Sequence, residues 1–340
     1  MTIHVGILGG GNISETHARA ASEVEGVRIV AVAGENAAKV EGLGERYGAA
    51  AYRDAEALVR HRPLDVVLIG SPSGLHAEQG IAAARQGLHV LVEKPIDVTT
   101  ERADQLIAAC EEAGVKLGVF FQDRFAQDMI VLKKAIDEGA LGRLLLASAR
   151  VKWWRPPEYY GRSRWRGTLS LDGGGALINQ GIHTVDLLLW IVGDVTRVWA
   201  RTTTALHRIE AEDVIVATLE FGSGALATLE ATTAAYPGYP REIELTGSEG
   251  TVVVRQDRIL RADLRKPWPG LVGGEGSQSA SASSAAVSDV RGHRAAFEDF
   301  LRSTRGGAEP RCNGREARRS LLVVEALYRS ARVQAPVSLS

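Results

Sequence analysis

The sequence predicts an α/β protein in two parts: a doubly wound parallel sheet, then an α+β domain with a large, mostly antiparallel open sheet. Three observations support this prediction. Strand-like and helix-like segments alternate over the first third of the chain, tight turns join the later strands, and 340 residues exceed what one small core needs. We place the domains at residues 1–122 and 123–340, with the terminal helices able to pack back on the first domain.

The first part is built from apolar runs of strand length. These runs are residues 5–8, 27–32, 66–69, 88–92 and 117–121. Segments of helical period separate them, among them 13–24, 76–86 and 99–113, and glycines at 87 and 114 follow the last two as C-terminal residues. Near-continuous apolar strands predict a parallel sheet that is covered on both faces.

The later part of the chain changes to hairpins. We expect helices at 127–137 and 175–192 and strands at 144–152, 195–206, 214–221, 225–233, 241–246 and 251–256. Helices on one face of this sheet would leave the other for a partner subunit, in a homodimer or homotetramer. Residues 268–288, rich in Gly, Ser and Ala, are predicted to form a lid-like loop before helices at 292–303 and 315–331.

The composition excludes several classes of protein. Hydrophobic residues make up 45% and charged residues 24%, as in a soluble globular protein, and a formal net charge of −1 supplies no field for nucleic acid or an anionic membrane. Cys110 and Cys312 have no neighbours at ligand spacing, so neither a disulfide framework nor a metal site is expected. Without a membrane-spanning run or an export signal, the expected location is cytoplasmic.

A glycine loop joins the first strand to the first helix. Gly9 permits the tight turn, Gly11 lets a pyrophosphate approach the backbone, and Asn12 and Ile13 present N–H groups at the helix start. This placement predicts a Rossmann-type dinucleotide site, with Ser14 at the third glycine position. The structural alternative is a glycine-rich turn that holds no ligand.

Two further segments are candidates for contacts with the same cofactor. The second predicted strand ends without the usual acid, so Glu35 is the candidate ligand of the adenosine ribose, and Lys39 is the only nearby cation for a 2′-phosphate. This pattern favours NAD, with NADP as the alternative. Candidates for the nicotinamide ribose are Ser71, Ser73 and His76, although Ser73 is also a candidate helix cap.

Glu93, Lys94 and Pro95 close the strand at 88–92. Because proline restricts the preceding residue, Lys94 is held in an extended or turn conformation at the sheet edge where ligands bind. Lys94 is therefore a candidate catalytic, substrate-binding and cofactor-binding residue, and Glu93 is a candidate cofactor contact. The alternative is a surface lysine before a strand-ending proline.

The apolar helix at 175–192 carries a polar stripe. Asn179, His183, Asp186 and Trp190 recur at i, i+4, i+7 and i+11, which places them on one face. His183 is a candidate acid–base residue whose ring Asp186 could orient, and Asn179 is a candidate catalytic and substrate-binding residue. The alternatives are a satisfied core histidine and a metal pair of His183 and Asp186, which lacks an evident third ligand.

An aromatic and arginine-rich segment precedes this helix. Aromatic faces stack on sugar rings, and arginine binds carboxylate or phosphate. The candidate substrate-binding residues are therefore Trp153, Arg155, Arg164 and Trp165, with Gln122 and Arg124 from the domain junction. Gln122 is also a candidate cofactor contact, and the structural alternative for the aromatic residues is packing at a domain or subunit interface.

The Gly9 loop, the Glu93-Lys94-Pro95 motif and the helix that runs from Gly173 to Asp186 together resemble the Gfo/Idh/MocA family of oxidoreductases. The resemblance covers essentially the whole chain. It implies a Rossmann domain, a C-terminal α/β domain, and NAD- or NADP-dependent chemistry on a secondary alcohol of a sugar, cyclitol or sugar nucleotide. It also implies that Lys94 and His183 flank the reacting carbon and that the peptide bond before Pro95 is often cis in relatives.

One departure from the family pattern concerns Asn179. Many members carry an aspartate here, and an amide can bind the substrate hydroxyl but cannot take its proton. The acid–base role therefore falls on His183, with Lys94 stabilising the substrate oxygen. Two alternatives remain open: a dinucleotide-binding regulatory protein without turnover, and a reductase of a pyrrole-like or other non-sugar substrate.

Overall fold

The computed structural model describes residues 2–274 and 289–339. The chain folds into two compact units. The first contains Met1–Gln122, Ser170–Gly173 and Val287–Arg318, and the second contains Asp123–Leu169, Gly174–Ala286 and Arg319–Ser340.

A six-stranded sheet forms the centre of the first unit. Its strands are β1 (Ile3–Leu8), β2 (Val27–Ala33), β3 (Ala50–Tyr52), β4 (Val66–Ile69), β5 (His89–Val92) and β6 (Leu117–Val119). They lie in the order β3-β2-β1-β4-β5-β6, and neighbouring strands pair in parallel, which confirms the predicted doubly wound sheet. The edge strand β3 was not predicted, because three residues are too few to show a periodic pattern.

Helices connect these strands. They are α1 (Asn12–Ser22), α2 (Ala37–Tyr47), α3 (Ala55–Val59), α4 (His76–Ala84) and α5 (Thr100–Glu112). The predicted helices at 13–24, 76–86 and 99–113 correspond to α1, α4 and α5. Gly87 and Gly114 have φ angles of 74° and 66° just beyond α4 and α5, as expected of glycines that end helices.

An eight-stranded sheet forms the centre of the second unit. Its strands are β7 (Leu144–Lys152), β8 (Val195–Thr203), β9 (Val214–Phe221), β10 (Leu226–Thr232), β11 (Glu242–Gly247), β12 (Gly250–Arg255), β13 (Arg258–Leu264) and β14 (Val337–Ser338). They lie in the order β13-β12-β11-β7-β10-β9-β8-β14. Only β7 and β10 pair in parallel among the described strands of this sheet, which confirms the mostly antiparallel prediction. The edge strands β13 and β14 were not predicted.

Residues along the strands of this sheet alternate between a buried and an exposed face. In β9, Ile215, Ala217 and Leu219 are buried, whereas Val216 between them is exposed. This alternation agrees with the prediction that helices cover one face of the sheet.

The histidine-bearing helix of the second unit differs from the prediction. In this unit α6 (Gln127–Asp137) and α7 (Pro157–Gly161) precede a π-helical turn at Ala176–Gly181, and only then does α8 (Ile182–Val192) begin. The predicted continuous α-helix at 175–192 is therefore wrong in its first turn. The physical cause is Glu212, whose backbone carbonyl accepts from Ala176 N at 2.9 Å and whose carboxylate accepts from nearby N–H groups, so this turn is bonded from outside the helix.

The last two helices are α9 (Arg291–Thr304) and α10 (Gly314–Val333), which agree with the predicted segments at 292–303 and 315–331. Of the predicted lid at 268–288, residues 275–288 lie outside the described residues. Both cysteines are buried. Over residues 2–274 and 289–339, we find no helix with the length and apolar character needed to cross a membrane.

Candidate active site

The glycine loop of the first unit is shaped by close backbone packing. Gly9 has a φ of 124°, and a Cβ there would lie 2.6 Å from the carbonyl oxygen of Gly70, so only glycine fits. A Cβ at Gly11 would meet no described atom within 4 Å, and Gly11 precedes α1 without a side-chain cap. Helix α1 therefore begins at Asn12 beside open space, an arrangement suited to an anionic phosphate.

The end of β2 lies beside this loop in the sheet. Glu35 is exposed there, and the next residue, Asn36, accepts a hydrogen bond from Lys39 N at 3.1 Å and caps α2. Asn36 therefore has a structural function, and Glu35 is the exposed acid that follows β2.

The turn after β4 is held by His76. Its ring is only 1% exposed, with Nδ1 2.8 Å from the Pro95 carbonyl oxygen and Nε2 3.0 Å from the Ser71 carbonyl oxygen. Burial lowers the pKa of His76, although both carbonyls oppose this effect. The His76 ring fixes two turns to each other, so we leave it out of the proposed cofactor contacts.

The serines of this turn have different environments. Ser71 Oγ donates to Gln79 Oε1 at 2.7 Å, and Ser73 is buried. The cap of α4 comes from Asp97, whose Oδ2 accepts from Ala77 N at 2.8 Å. The alternative function considered for Ser73, as the side-chain cap of α4, is therefore performed by Asp97.

Lys94 follows β5 and is half-buried. The peptide bond between Lys94 and Pro95 is cis, as the family resemblance implied. The Lys94 backbone N–H donates to Glu93 Oε2 at 3.1 Å, while Glu93 Oε1 lies 3.0 Å from His17 Nε2. The Glu93 carboxylate, 6% exposed as a residue, is thus bonded within the first unit, and we leave it out of the proposed cofactor contacts.

Gln122 supplies a further test of whether a dinucleotide fits the first unit. Its Oε1 atom is buried and has no hydrogen-bond partner among the described residues. A buried amide oxygen without a donor carries a desolvation penalty that a bound polar group can relieve. This orphaned atom and the open space at Gly11 fit a cofactor with phosphate and polar groups.

His183 of the second unit lies in α8 and is buried. Its Nδ1 atom is 3.8 Å from Asp123 Oδ2, and the same oxygen accepts from Arg241 Nη1 at 2.5 Å. Arg241 also bonds to Asp257, and it is only 2% exposed. Burial disfavours the Arg241 charge, but the Asp123 and Asp257 carboxylates outweigh burial and raise its pKa. A chain of acidic and basic side chains, Asp123, Arg241 and Asp257, therefore extends from His183 into the unit, and burial raises the pKa of its last member, Asp257, to about 7.

Asp186 does not orient the His183 ring as we expected. Its oxygens accept from Arg124 Nε and Nη2 at 2.7 Å each, and Ser320 Oγ donates to it at 3.0 Å. A bidentate guanidinium is the stronger partner for a buried carboxylate, so Asp123 instead is the acid beside His183. Because Arg124 is 1% exposed and bound to Asp186, we leave it out of the proposed substrate contacts.

Asn179 lies in the π-helical turn and is half-buried. Its Oδ1 accepts from Gln180 Nε2 at 2.8 Å, and Gln180 Oε1 accepts from Arg155 Nη2 at 3.2 Å. The extra residue in a π turn changes the angular spacing, so the 3.6-residue stripe does not hold between Asn179 and His183. The amide is instead part of a polar network that includes Arg155.

The aromatic segment divides into a buried and an exposed half. The buried half contains Trp153 and Arg155, whose guanidinium lies 5.1 Å from the Trp153 ring centroid. Burial lowers the pKa of Arg155. In the other half, Arg164 is exposed and Trp165 is half-buried. Packing of the domain is the better interpretation for Trp153, whereas Arg164 and Trp165 remain accessible to a ligand.

Sequence reasoning missed Asp123 and Arg241. Asp123 stands between Gln122 and Arg124, both of which we considered, but no local pattern distinguishes it. Its partner Arg241 is 118 positions away, and such a separation leaves no periodic signal in the sequence.

Comparison with known protein families identifies both parts of the chain. Residues 3–121 match the model of an oxidoreductase family described as having an NAD-binding Rossmann fold. Residues 129–253 match the GFO/IDH/MocA C-terminal domain. The first match coincides with the six-stranded sheet, and the second covers β7 to most of β12.

Several individual proteins are similar over most of the chain. D-apiose dehydrogenase of Paraburkholderia graminis is 27% identical, covering 98% of this chain and 88% of that protein. Inositol 2-dehydrogenase of Rhizobium meliloti is 29% identical over 78% of this chain and 79% of its own. The crystal structure of the WlbA dehydrogenase from Bordetella pertussis, in complex with NADH and UDP-GlcNAcA, is 34% identical, with a TM-score of 0.90 over 100% of this chain and 99% of that one.

The matches agree with the parallel sheet of the first unit and with the mostly antiparallel sheet of the second. They show an enzyme that uses NAD and acts on CH–OH groups. The chain belongs to the Gfo/Idh/MocA family of oxidoreductases.

Proposed function

We propose that this enzyme oxidises or reduces one secondary alcohol carbon of a sugar or sugar derivative, with Lys94 and His183 as its catalytic residues. The chain of charges Asp123–Arg241–Asp257 beside His183 is the observation that favours this role most. A histidine that only fills space in a core needs no such support, because burying the Arg241 guanidinium incurs a desolvation cost that its two carboxylate partners must offset.

His183 acts as the general base in this proposal. The Asp123 carboxylate, 3.8 Å from Nδ1, favours the tautomer that carries its proton on Nδ1. Nε2 is then the atom that takes the hydroxyl proton in oxidation and returns it in reduction. Asp123 also stabilises the imidazolium that forms.

Lys94 stabilises the substrate oxygen. Its ammonium donates to the oxygen as negative charge develops there, which lowers the barrier to hydride transfer. When bound, NAD supplies the hydride acceptor, and the chain supplies alignment and proton transfer. Asn179 binds a substrate hydroxyl through its amide.

The cofactor contacts we propose come from the first unit. Gly9 and Gly11 shape the loop, and Asn12 and Ile13 offer N–H groups to the pyrophosphate. The contact proposed for the adenosine ribose is Glu35, and those proposed nearer the nicotinamide are Ser71, Ser73 and Gln122. An acid after β2 without an adjacent arginine favours NAD over NADP.

A sugar nucleotide with an acidic sugar is the second candidate substrate. The similar WlbA dehydrogenase was crystallised with UDP-GlcNAcA. In this chain, exposed Arg164 offers a guanidinium fork that suits a carboxylate or phosphate, and half-buried Trp165 offers a stacking face. Neutral sugars and cyclitols have no need of that charge, so Arg164 distinguishes the two candidates.

We also propose that the two compact units are a cofactor unit and a substrate unit, and that the enzyme is a cytoplasmic homo-oligomer. The exposed face of the eight-stranded sheet supports the homo-oligomer. Large apolar side chains lie on it, among them Trp199, Val216 and Leu226. Such residues are typical of a surface that another subunit covers.

The test is NADH formation at 340 nm with NAD and a panel of myo-inositol, D-apiose, levoglucosan and UDP-GlcNAcA. We expect turnover with at least one compound. An Arg164→Ala variant should lose activity with UDP-GlcNAcA but keep it with neutral sugars. Tight NADH binding without turnover of any sugar, polyol or sugar nucleotide would contradict the proposal.

A further inference from the structure

Three buried ionisable side chains meet at Glu93, the residue that precedes Lys94. His17 comes from α1, Glu93 from the end of β5 and His293 from α9. Glu93 Oε1 lies 3.0 Å from His17 Nε2 and 3.6 Å from His293 Nε2. The proposed function assigns no role to this His17–Glu93–His293 cluster.

The packing around the cluster is tight. The His17 ring stacks on Phe120 with 4.4 Å between centroids and an interplanar angle of 18°. On another side is Gly70, where a Cβ would come within 3.1 Å of His17 Cε1. His293 is tilted against the same phenyl ring at 5.5 Å. The His17 ring therefore has little freedom to turn away from Glu93.

A metal ion is one chemistry that such a cluster can hold. One ligand atom from each of the three residues lies within 4.8 Å of the others. However, His17 Nδ1 has no hydrogen-bond partner among the described residues, whereas a metal-bound imidazole needs one for its second nitrogen. The 3.0 Å separation is that of a hydrogen bond from His17 Nε2–H to the carboxylate. The geometry fits a hydrogen-bonded cluster better than a metal site.

The charge states agree with this assignment. Burial disfavours the Glu93 carboxylate, but bonds to His17 and His293 outweigh it and hold the pKa of Glu93 well below its ordinary value. Burial lowers the pKa of His17, which stays neutral. Glu93 is thus a fixed negative charge with two imidazoles against one oxygen.

The other oxygen of Glu93 leads to the lysine. Glu93 Oε2 accepts from Lys94 N at 3.1 Å, and His76 holds the Pro95 carbonyl on the far side of the same turn at 2.8 Å. We propose that His17 and His293 are positioning residues, which hold the Glu93 carboxylate in place. Through Glu93 they fix the backbone and the charge of Lys94 relative to helix α1, where the dinucleotide site begins. This inference rests on the proposed catalytic role of Lys94.

The experiment compares His17→Leu, His17→Gln and Glu93→Gln with the wild-type chain. Glutamine in place of His17 can still donate to Glu93, whereas leucine cannot, so His17→Gln is the matched control. Two readouts are used: kcat with the panel compound that the wild-type chain oxidises fastest, and the pH profile of Lys94 acetylation by acetic anhydride, followed by peptide mass spectrometry with exposed Lys39 as internal reference.

We expect His17→Leu and Glu93→Gln to lower kcat by about tenfold or more, because a misplaced donor stabilises the transition state less. The affinity for NADH, measured by its fluorescence, should stay within about threefold, since the three residues of the cluster lie outside the Gly9–Gly11 loop. His17→Gln should recover most of the rate. Glu93→Gln should also shift the Lys94 acetylation midpoint to lower pH, because a neighbouring negative charge is lost.

The groups that face Glu93 are His17 from α1, His293 from α9 and His76 from α4, and none of them changes in Glu93→Gln. A shift of the Lys94 midpoint without a shift for Lys39 therefore reports the lost carboxylate. His17→Leu keeps the Glu93 charge, so a shift of the Lys94 midpoint in that variant reports a displaced carboxylate. A purely structural role of His17 would lower stability but leave the Lys94 midpoint of His17→Leu unchanged.

Two outcomes would overturn the inference. One is a folded His17→Leu variant with wild-type kcat and an unchanged Lys94 midpoint. The other is about one equivalent of metal in purified protein that Glu93→Gln loses, which would make the cluster a metal site. If the wild-type chain turns over no compound, the proposed function fails, while the acetylation profile still tests the positioning of Lys94.

Discussion

Asp186 and Arg124 form a buried bidentate ion pair, with both nitrogen–oxygen distances at 2.7 Å. The two residues join the 3-10 turn at Gln122–Phe125 to helix α8, which carries His183. Arg124 also lies 5.7 Å from the centroid of the Trp190 ring, one turn further along α8. The pair therefore fixes the helix of the proposed base rather than the base itself.

Removing one member of this pair should destabilise the protein strongly. Arg124→Met leaves the Asp186 carboxylate buried without its main partner, so we expect the free energy of unfolding to fall by about 3–5 kcal/mol. Urea denaturation measures this loss. The double variant Arg124→Met with Asp186→Leu should recover much of it, and a single variant as stable as wild type would contradict the assignment.

Lys94→Ala should separate cofactor binding from chemistry. The change removes the donor to the substrate oxygen, so turnover should fall by roughly a thousandfold while NADH affinity is kept. Steady-state rates and NADH fluorescence measure the two quantities. Lys39→Ala, at an exposed position in α2, is the control and should keep both. Full activity of Lys94→Ala would refute the catalytic role.

Asp123→Asn should impair catalysis with little effect on cofactor affinity. Loss of the carboxylate near Nδ1 weakens stabilisation of the imidazolium, so we expect kcat to fall by about ten- to a hundredfold. Arg241→Met should lower kcat as well, because it removes the guanidinium that holds Asp123. The matched control is Arg258→Met, at an exposed arginine that pairs with Asp128 in the same unit. Equal rates for the Arg241 and Arg258 variants would count against the charge chain.

Gly11→Ala should weaken cofactor binding without unfolding the protein. A Cβ there meets no described atom within 4 Å, so the melting temperature should hardly change. The methyl group would still keep a pyrophosphate from the backbone, and we expect NADH affinity to drop by about tenfold or more. Gly42→Ala, in the exposed part of α2, is the control. Unchanged NADH affinity in Gly11→Ala would place the cofactor elsewhere.

The Glu212 carboxyl should make stability depend on pH. Burial raises its pKa to about 7 from the ordinary 4.5, even though it accepts from Gly175 N, Leu177 N and Tyr328 Oη. The folded state then binds this proton more tightly than the unfolded state. Its contribution to stability is full below the unfolded pKa of 4.5 and is lost as pH rises towards 7, by about 3 kcal/mol in total.

Unfolding free energies at pH 5 and pH 7.5 test this sign. In the wild-type chain, Glu212 should add to the free energy of unfolding at pH 5 and add little at pH 7.5. Glu212→Gln does not titrate, so its free energy of unfolding should lack this change with pH. Identical pH dependence in the two proteins would show that the hydrogen bonds outweigh burial at this carboxyl.

Local patterns in the sequence were sufficient for the architecture. Apolar runs such as 66–69 and the alternation in 214–221 fix strand type and sheet class, because burial on one or two faces dictates which side chains each strand carries. The glycine loop and the motif around Lys94 are also local, and their chemistry follows from neighbouring residues. The π turn at Ala176–Gly181 was missed because its cause, Glu212, lies far along the chain.

Only the tertiary structure shows which polar side chains pair with each other. Asp123 meets Arg241 across 118 positions, Arg124 meets Asp186 across 62, and His17 meets Glu93 across 76. Buried charges must find partners wherever the packed units bring them, and that choice depends on three-dimensional packing rather than on spacing along the chain. The sequence therefore indicated which residues carry the chemistry, and the folded chain determined which carboxylate and which imidazole support them.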